Sequence, residues 1–194
     1  MQATEILRQE HDVILKMLDG LDQMNQTLLA NAEVARGTFD GFLEFFRLFA
    51  DRCHHGKEED LLFPMLEQRG IPRGGGPIGV MLHEHDHGRE LIQEMAAAAA
   101  EYEKDRTTGS RRWVRAAQSY SQLLRDHILK ENNILFHMAE QLLTSEEQIS
   151  LAAAFEKTEM EKIGVGTHER LQGQVEELLT QVEKSHAAVS NKSR

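Results

Sequence analysis

The sequence lacks most of what covalently stapled or β-rich scaffolds need. A single cysteine, Cys53, excludes an internal disulfide and any Cys-rich zinc or iron–sulfur site. Three prolines, two tyrosines and few stretches of strict apolar/polar alternation leave little material for strands, so the chain reads as all-α. No apolar run approaches the roughly 20 residues of a bilayer-spanning helix. The opening MQATEILRQEHD puts acids where a secretory leader needs a basic and then an apolar region. A cytoplasmic protein with no membrane partner is the expectation. Lys and Arg total 22 against 32 Asp and Glu, a formal net charge of −10, and no segment gathers the basic residues, which argues against a nucleic-acid partner.

What is present is helical periodicity. Leu7, His11, Ile14, Leu18 and Leu21 recur at steps of three and four behind a candidate cap at Thr4, and a polar stretch from Asn25 to Gly37 closes this first helix. The second is predicted from about Thr38 to Gln68, with Leu43, Phe46, Ala50, His54, Glu58, Leu61 and Met65 on one face, before the IPRGGGP loop. The third runs from about Ile78 to Lys104 and aligns Met81, His85, Gly88, Ile92, Met95 and Ala99. After a turn at DRTTGS, the fourth, about Ser110 to Leu143, aligns Trp113, Ala116, Tyr120, Leu123, His127, Glu131, Ile134 and Met138. Four such helices specify an up-down-up-down four-helix bundle over residues 1–143.

Two further helices are predicted beyond it. Ser145 and Gln148 have capping-box spacing and open a helix carrying Ile149, Ala152, Phe155 and Met160. Leu171, Val175, Leu178, Leu179 and Val182 mark the last one. Together they form a C-terminal helical extension over 144–186, followed by a flexible tail over 187–194. The final apolar stripe needs a surface to cover, either the bundle or a second copy in a homodimer joined through the C-terminal helices.

Each of the four bundle stripes contains a histidine, and two add a glutamate one turn later: His54-His55-Gly56-Lys57-Glu58 and His127-Ile128-Leu129-Lys130-Glu131. Residues four apart share a helix face, so each pair aims an imidazole and a carboxylate at one spot. Their stripe neighbours Phe46, Leu61, Leu123 and Ile134 are apolar, so the spot lies in the core. A buried unpaired carboxylate costs several kcal/mol, and two of them beside four histidines would exceed a domain's net stability of about 5–15 kcal/mol unless a cation compensates. His11, His54, Glu58, His85, His127 and Glu131 are therefore candidate metal ligands. Four nitrogens and two carboxylates are too many for one tetrahedral zinc and too nitrogen-rich for calcium or magnesium, but they suit two iron or manganese ions bridged by the carboxylates. The Glu-x-x-His order of ferritin-like di-iron bundles is absent.

In LRQEHDVI, HHGKEEDLLFP, MLHEHDHG and HILKENNILF the sequence resembles the hemerythrin-like, or HHE cation-binding, family over about residues 5–140. The stretch SEEQISLAAAFEKTEMEKIGVGTHERL resembles the tail common in bacterial members. The resemblance implies a bundle holding an oxo- or hydroxo-bridged pair of irons, with manganese or zinc as substitutes, that binds dioxygen, nitric oxide or a related small molecule. It implies that His11 and His54 ligate one iron, His85 and His127 the other, and that Glu58 and Glu131 bridge them. Oxygen-carrying invertebrate hemerythrins have an H-x-x-x-H pair in the third helix and an aspartate five residues after the last histidine. With His85 as the only third-helix ligand this chain departs on both counts, which leaves a more open site and counts against reversible oxygen carriage.

His83 and His87 share a face of the third helix, about 160° from His85. The register with Met81, Ile92 and Met95 selects His85, and His83 and His87 are expected on a solvated face. His55 and Glu59 form a second H-x-x-x-E pair turned by about 100°, expected at the helix surface, with Glu59 a candidate support for the site. Cys53 is read as a packed, inert thiol and Phe39, Phe42, Phe45, Phe46 and Phe49 as core. No site role is given to His137, His168 or His186.

Three classes of function are compatible with this pattern. The first is a binding module that holds dioxygen or nitric oxide on the iron pair for sensing, storage or protection. The second is an enzyme in which the pair reduces nitric oxide or peroxide, or a donor of iron to damaged iron–sulfur clusters. The bacterial cluster-repair relatives share the H-x-x-x-E-E and H-x-x-x-E-N-N motifs but commonly carry a small Cys-containing N-terminal domain, whereas His11 here lies near the start. The third is an iron-responsive adaptor whose bundle folds only when loaded.

Overall fold

The computed structural model describes residues 2–192, with side chains through His186. Helix α1 spans Ala3–Leu29. Helix α2 runs unbroken from Arg36 to Gln68 through an α-helical start (Arg36–Phe45), two π-wound stretches (Phe46–His55 and Glu58–Leu62) and an α-helical end (Phe63–Gln68). Helix α3 is Pro77–Tyr102, and α4 joins Arg106–Lys130, a π turn at Glu131–Leu135, and Phe136–Leu142. The extension consists of α5 (Ser145–Ile163) and α6 (Thr167–Lys192). Helix α6 reaches into the tail expected over 187–194, whose last two residues lie outside the described ones. The first four helices form the expected up-down-up-down bundle, and among the described residues there is no strand.

Local chemistry moves several expected ends. Asp105 accepts hydrogen bonds from the backbone N–H groups of Thr107 and Thr108, so it caps α4 and turns DRTTGS into its first turn. The capping box opening α5 is Thr144 with Glu147, one residue ahead of the expected pair. Gln148 is buried instead and accepts from the Ala3 N–H at 3.1 Å. Thr4 is not a cap: Glu5 accepts from the Gln2 N–H at the start of α1, and the buried Thr4 hydroxyl donates to Glu140.

The π turns change which face is buried. Beyond Glu58 the core residues are Leu62 and Leu66 rather than Leu61 and Met65, and beyond Glu131 they are Leu135 and Phe136, with Ile134 left 52% exposed. The cause is one extra residue per turn. The Phe63 N–H bonds to the Glu58 carbonyl and the Phe136 N–H to the Glu131 carbonyl, each five residues back, which advances everything downstream by one position. The α5 stripe also differs from expectation, since Leu151 and Phe155 face inward while Ile149 and Met160 are exposed.

The apolar interior forms two clusters. One gathers Phe39, Phe46, Trp113 and Tyr120 with Leu171, Val175, Leu178 and Val182 of α6. The other gathers Leu62, Phe63, Ile78 and Phe136 with Leu151 and Phe155 of α5. The α6 stripe thus covers the chain's own bundle. A Cβ on Gly20 of α1 would come within 2.1 Å of a terminal methyl of Leu179, so that side chain seats directly on the bare α1 backbone. In every bundle helix the metal-ligating types lie between the two clusters: His11 between Leu7 and Ile14, His54 and Glu58 between Ala50 and Leu62, His85 between Met81 and Leu91, Glu131 between Ile128 and Leu135.

Candidate metal centre

All six residues expected to be ligands are buried and meet at this level: His11, His54, His85 and His127 are at most 1% exposed, and Glu58 and Glu131 are fully buried. Glu131 presents one oxygen to two helices, 3.1 Å from His11 Nε2 and 3.2 Å from His127 Nε2. Glu58 divides its oxygens, Oε1 lying 3.8 Å from His54 Nε2 and Oε2 3.5 Å from His85 Nε2. The Nε2 atoms of His85 and His127 are 3.1 Å apart. Each carboxylate therefore stands between the two imidazole pairs that the family resemblance implies for separate metals.

His55 joins them, contrary to its expected place at the helix surface. It is 4% exposed, and its ring stacks on that of His85. The π-wound stretch explains the difference. The Gly56 N–H bonds to the Asp51 carbonyl five residues back, and the wider turn separates consecutive side chains by fewer degrees, so His54 and His55 both face inward. Among the inward-facing residues at this level, ligand atoms gather in two groups, His11, His54, Glu58 and Glu131, and His55, Glu58, His85 and His127, with Glu58 common to both; a third group, Glu10, Cys53, Glu159 and His168, lies behind them.

Whether a metal pair fits is tested by the polar atoms left over. His11 Nε2, His54 Nε2, both ring nitrogens of His55 and all four oxygens of Glu58 and Glu131 are buried with no hydrogen-bond partner among the described residues. Each such atom costs about 1–3 kcal/mol. With one nitrogen from each histidine, the atoms gathered at this level are the donor set of a cation site, and nitrogen with carboxylate suits a pair of iron or manganese ions. Electrostatics agree: burial and then the charge of Glu131 push the Glu58 carboxyl well above the ordinary carboxylate range. Glu131 is buried too, yet His127 and His11 hold it well below that range.

Around the ligands runs a closed ring in which each bundle helix supports the histidine of the next. Glu10 of α1 accepts from His54 Nδ1 at 2.9 Å, Glu59 of α2 from His85 Nδ1 at 2.7 Å, and Glu84 of α3 from His127 Nδ1 at 3.0 Å. Asn132 of α4 closes the ring on His11 Nδ1 at 3.0 Å. Each supporting group is the sequence neighbour of a ligand on its own helix. A cation one turn from the supported histidine neutralises each carboxylate: Lys57 on Glu10, Arg89 on Glu59, Lys130 on Glu84. Despite the cost of burial, His85 and Arg89 bring Glu59 down to about 2, and His54 and Lys57 hold Glu10 below its usual range. Such partners fix imidazole tautomer and orientation. His83 and His87 are exposed on α3, as expected.

The extension touches this ring. Lys57, 1% exposed, also donates to Glu159 of α5 at 2.7 Å, and Glu159 lies 3.1 Å from His168 Nδ1 of α6. Cys53 packs against both, and burial raises its thiol well above the ordinary range, in keeping with an inert role. Glu10, Lys57, Glu84, Asn132, Glu159 and His168 carried no sequence signal of their own, because their partners lie on other helices.

The family model described as the hemerythrin HHE cation binding domain matches residues 2–139. The chain is 35% identical over 141 residues to the iron-sulfur cluster repair protein DnrN of Neisseria gonorrhoeae, covering 68% of this chain and 85% of that protein. It is 36% identical over 89 residues to the iron-sulfur cluster repair proteins YtfE of Escherichia coli and Edwardsiella ictaluri, spanning 44% of this chain but only 40% of theirs. No helix among the described residues is long and apolar enough to cross a membrane.

Proposed function

Since this chain belongs to the hemerythrin HHE cation-binding domain family, we propose that it is a non-haem di-iron protein that supplies iron to damaged iron–sulfur clusters. The observation that supports it best is the set of buried, unpartnered nitrogen and carboxylate atoms on His11, His54, His55, Glu58 and Glu131, bounded by the supporting ring. In this reading His11, His54, Glu58 and Glu131 hold one iron, and His55, His85, His127 and Glu58 the other, with Glu131 reaching across to His127. Glu58 would be shared between the two groups. Bound there, iron supplies redox and Lewis-acid chemistry. The protein orients the imidazoles of His11, His54, His85 and His127 by pointing each Nδ1–H at its supporting side chain, and excludes water with apolar walls, Phe136 stacked 5.3 Å from His11 and Phe63 5.9 Å from His85. The name of the relative matched over 85% of its length favours repair over storage or sensing. A cytoplasmic iron–sulfur protein would be the partner. Self-association through α6 is not part of the proposal, because its apolar stripe already covers the bundle.

The test uses a protein whose reduced [3Fe–4S]0 cluster needs only Fe2+ to become [4Fe–4S]2+. Anaerobic incubation with the ferrous-loaded chain should convert that cluster in the presence of a competing ferrous chelator, as read by magnetic circular dichroism. Conversion no faster than with free Fe2+ under the same chelator would overturn the repair reading. A second reading, binding of nitric oxide or dioxygen, draws on the apolar walls. It predicts an optical change on adding either gas to the loaded protein without any transfer of iron.

A further inference from the structure

The supporting ring is uneven, and the unevenness falls on one side of the metal pair. Three links are carboxylates and the fourth, Asn132, is a neutral amide. A carboxylate that accepts the Nδ1–H of a ligating imidazole transfers negative charge to the ring and strengthens its Nε2 as a donor, and an amide oxygen does so far less. Asp51 adds a further carboxylate behind His55, its Oδ1 3.7 Å from Nδ1. The group around His55, His85 and His127 therefore has two imidazoles hydrogen-bonded to carboxylates and a third with the Asp51 carboxylate nearby, while the group around His11 and His54 has one imidazole backed by a carboxylate and one by an amide.

The cation that belongs to the fourth link is also turned away. Arg8 lies one turn before His11, as Lys57, Arg89 and Lys130 lie one turn after their histidines. With no carboxylate at Asn132 to meet, it donates instead to the Asn132 carbonyl at 3.3 Å and to Glu140. Its guanidinium sits 5.5 Å above the Phe136 ring that stacks on His11. His11 is thus the one histidine of the ring with no carboxylate behind its Nδ1.

We propose that Asn132 makes the His11–His54 side of the centre the labile one, so that the ferrous ion held there is the one the protein gives up. The inference rests on the di-iron reading above and adds which ion is cargo and which residue decides it. Asn132 is a positioning residue, acting through His11. One ion stays with His55, His85 and His127, and the chain alternates between one and two bound ions.

The experiment loads the full chain anaerobically with two equivalents of Fe2+ and mixes it with excess ferrozine. Release should occur in two phases of one iron each, at least about tenfold apart. Asn132→Asp restores the missing carboxylate and should slow the fast phase by about ten- to hundredfold, the range of effect of such supporting partners, with the slow phase unchanged. Glu84→Gln weakens His127 on the other side and should quicken the slow phase until the two approach each other. That second arm holds even if Asn132→Asp does not fold. Loading 57Fe in the first equivalent and 56Fe in the second should leave the 57Fe Mössbauer spectrum in the protein after the fast phase. A single phase for both irons, or an unchanged fast phase in an Asn132→Asp protein that still binds two, overturns the inference alone. Failure of the unmodified chain to bind two irons overturns the di-iron reading with it.

Discussion

The imidazole of His55 lies flat against that of His85, their centroids 3.9 Å apart and their planes 13° from parallel. Parallel rings at this distance, both buried, can address one ion from the same side. Replacing His55 by Ala should lower metal occupancy about as much as replacing His85, whereas His83→Ala and His87→Ala should leave it intact. Metal analysis of the four variants after ferrous loading checks this. Full occupancy in His55→Ala would return that residue to a packing role.

The two carboxylates proposed as ligands give a sharper contrast. Glu58→Ala or Glu131→Ala removes one of the two and should cost at least one iron per chain. Glu59→Ala should retain both irons but hold them about ten- to hundredfold more weakly, because it frees the His85 ring without removing a ligand. Equilibrium competition with a ferrous chelator separates the two outcomes.

Acid should destabilise the chelator-treated protein through specific groups. Burial, then the neighbouring imidazoles, brings His54 and His85 down to about 3 from their ordinary 6.5. The unfolded chain takes up these protons first, so the stability they provide is complete above pH 6.5 and is lost as pH falls toward 3. His127 has the opposite sign: burial opposes its charge, but Glu131 and Glu84 raise it to about 9. Its contribution is complete below pH 6.5 and is lost as pH rises through 9. Urea midpoints followed by circular dichroism should fall on both sides of neutrality, and a flat profile from pH 4 to 7 would contradict the assignment.

Lys57 links the extension to the centre. Lys57→Met leaves Glu10 buried opposite His54 without its cation, and removing one partner of a buried pair costs about 3–5 kcal/mol. Glu159 is 21% exposed on its side chain and can turn to water, so Glu159→Gln should cost much less. Denaturant unfolding of both variants tests the order, and equal losses would show that the energy lies in the α5 contact.

Packing can be probed where backbone meets backbone. A Cβ on Gly109 would sit 2.3 Å from the Tyr102 backbone, a collision that no rotamer change relieves. Gly109→Ala should therefore lower stability by at least about 1–3 kcal/mol, while Gly173→Ala, with nothing within 4 Å, should be neutral or mildly stabilising. Paired thermal melts decide it.

Legibility followed the range of the interaction. His54 with Glu58, and His127 with Glu131, stood out because both partners lie one turn apart on one helix, and His85 was separated from His83 and His87 by the same periodicity. His55 was misplaced because that periodicity assumes α winding, and the wider turns over Phe46–His55 and Glu58–Leu62 do not announce themselves in composition. The same assumption puts Leu61 on the inner face, whereas Leu62 is the fully buried residue and Leu61 is only half-buried.

By itself the sequence determined the helices and the inner faces that bear the six buried ligand types, because a repeat of 3.6 residues converts spacing directly into direction. It also determined that a cation had to be involved, since buried carboxylates and imidazoles without one are too costly. Only the tertiary structure decided which groups stand behind the ligands. Glu10 supports His54 and not its neighbour His11, Glu84 supports His127 and not its neighbour His85, and Asn132 falls to His11. Adjacent residues on a helix point about 100° apart, so the neighbour of an inward ligand necessarily faces the adjoining helix, and which histidine it meets there depends on how the four helices are set beside one another.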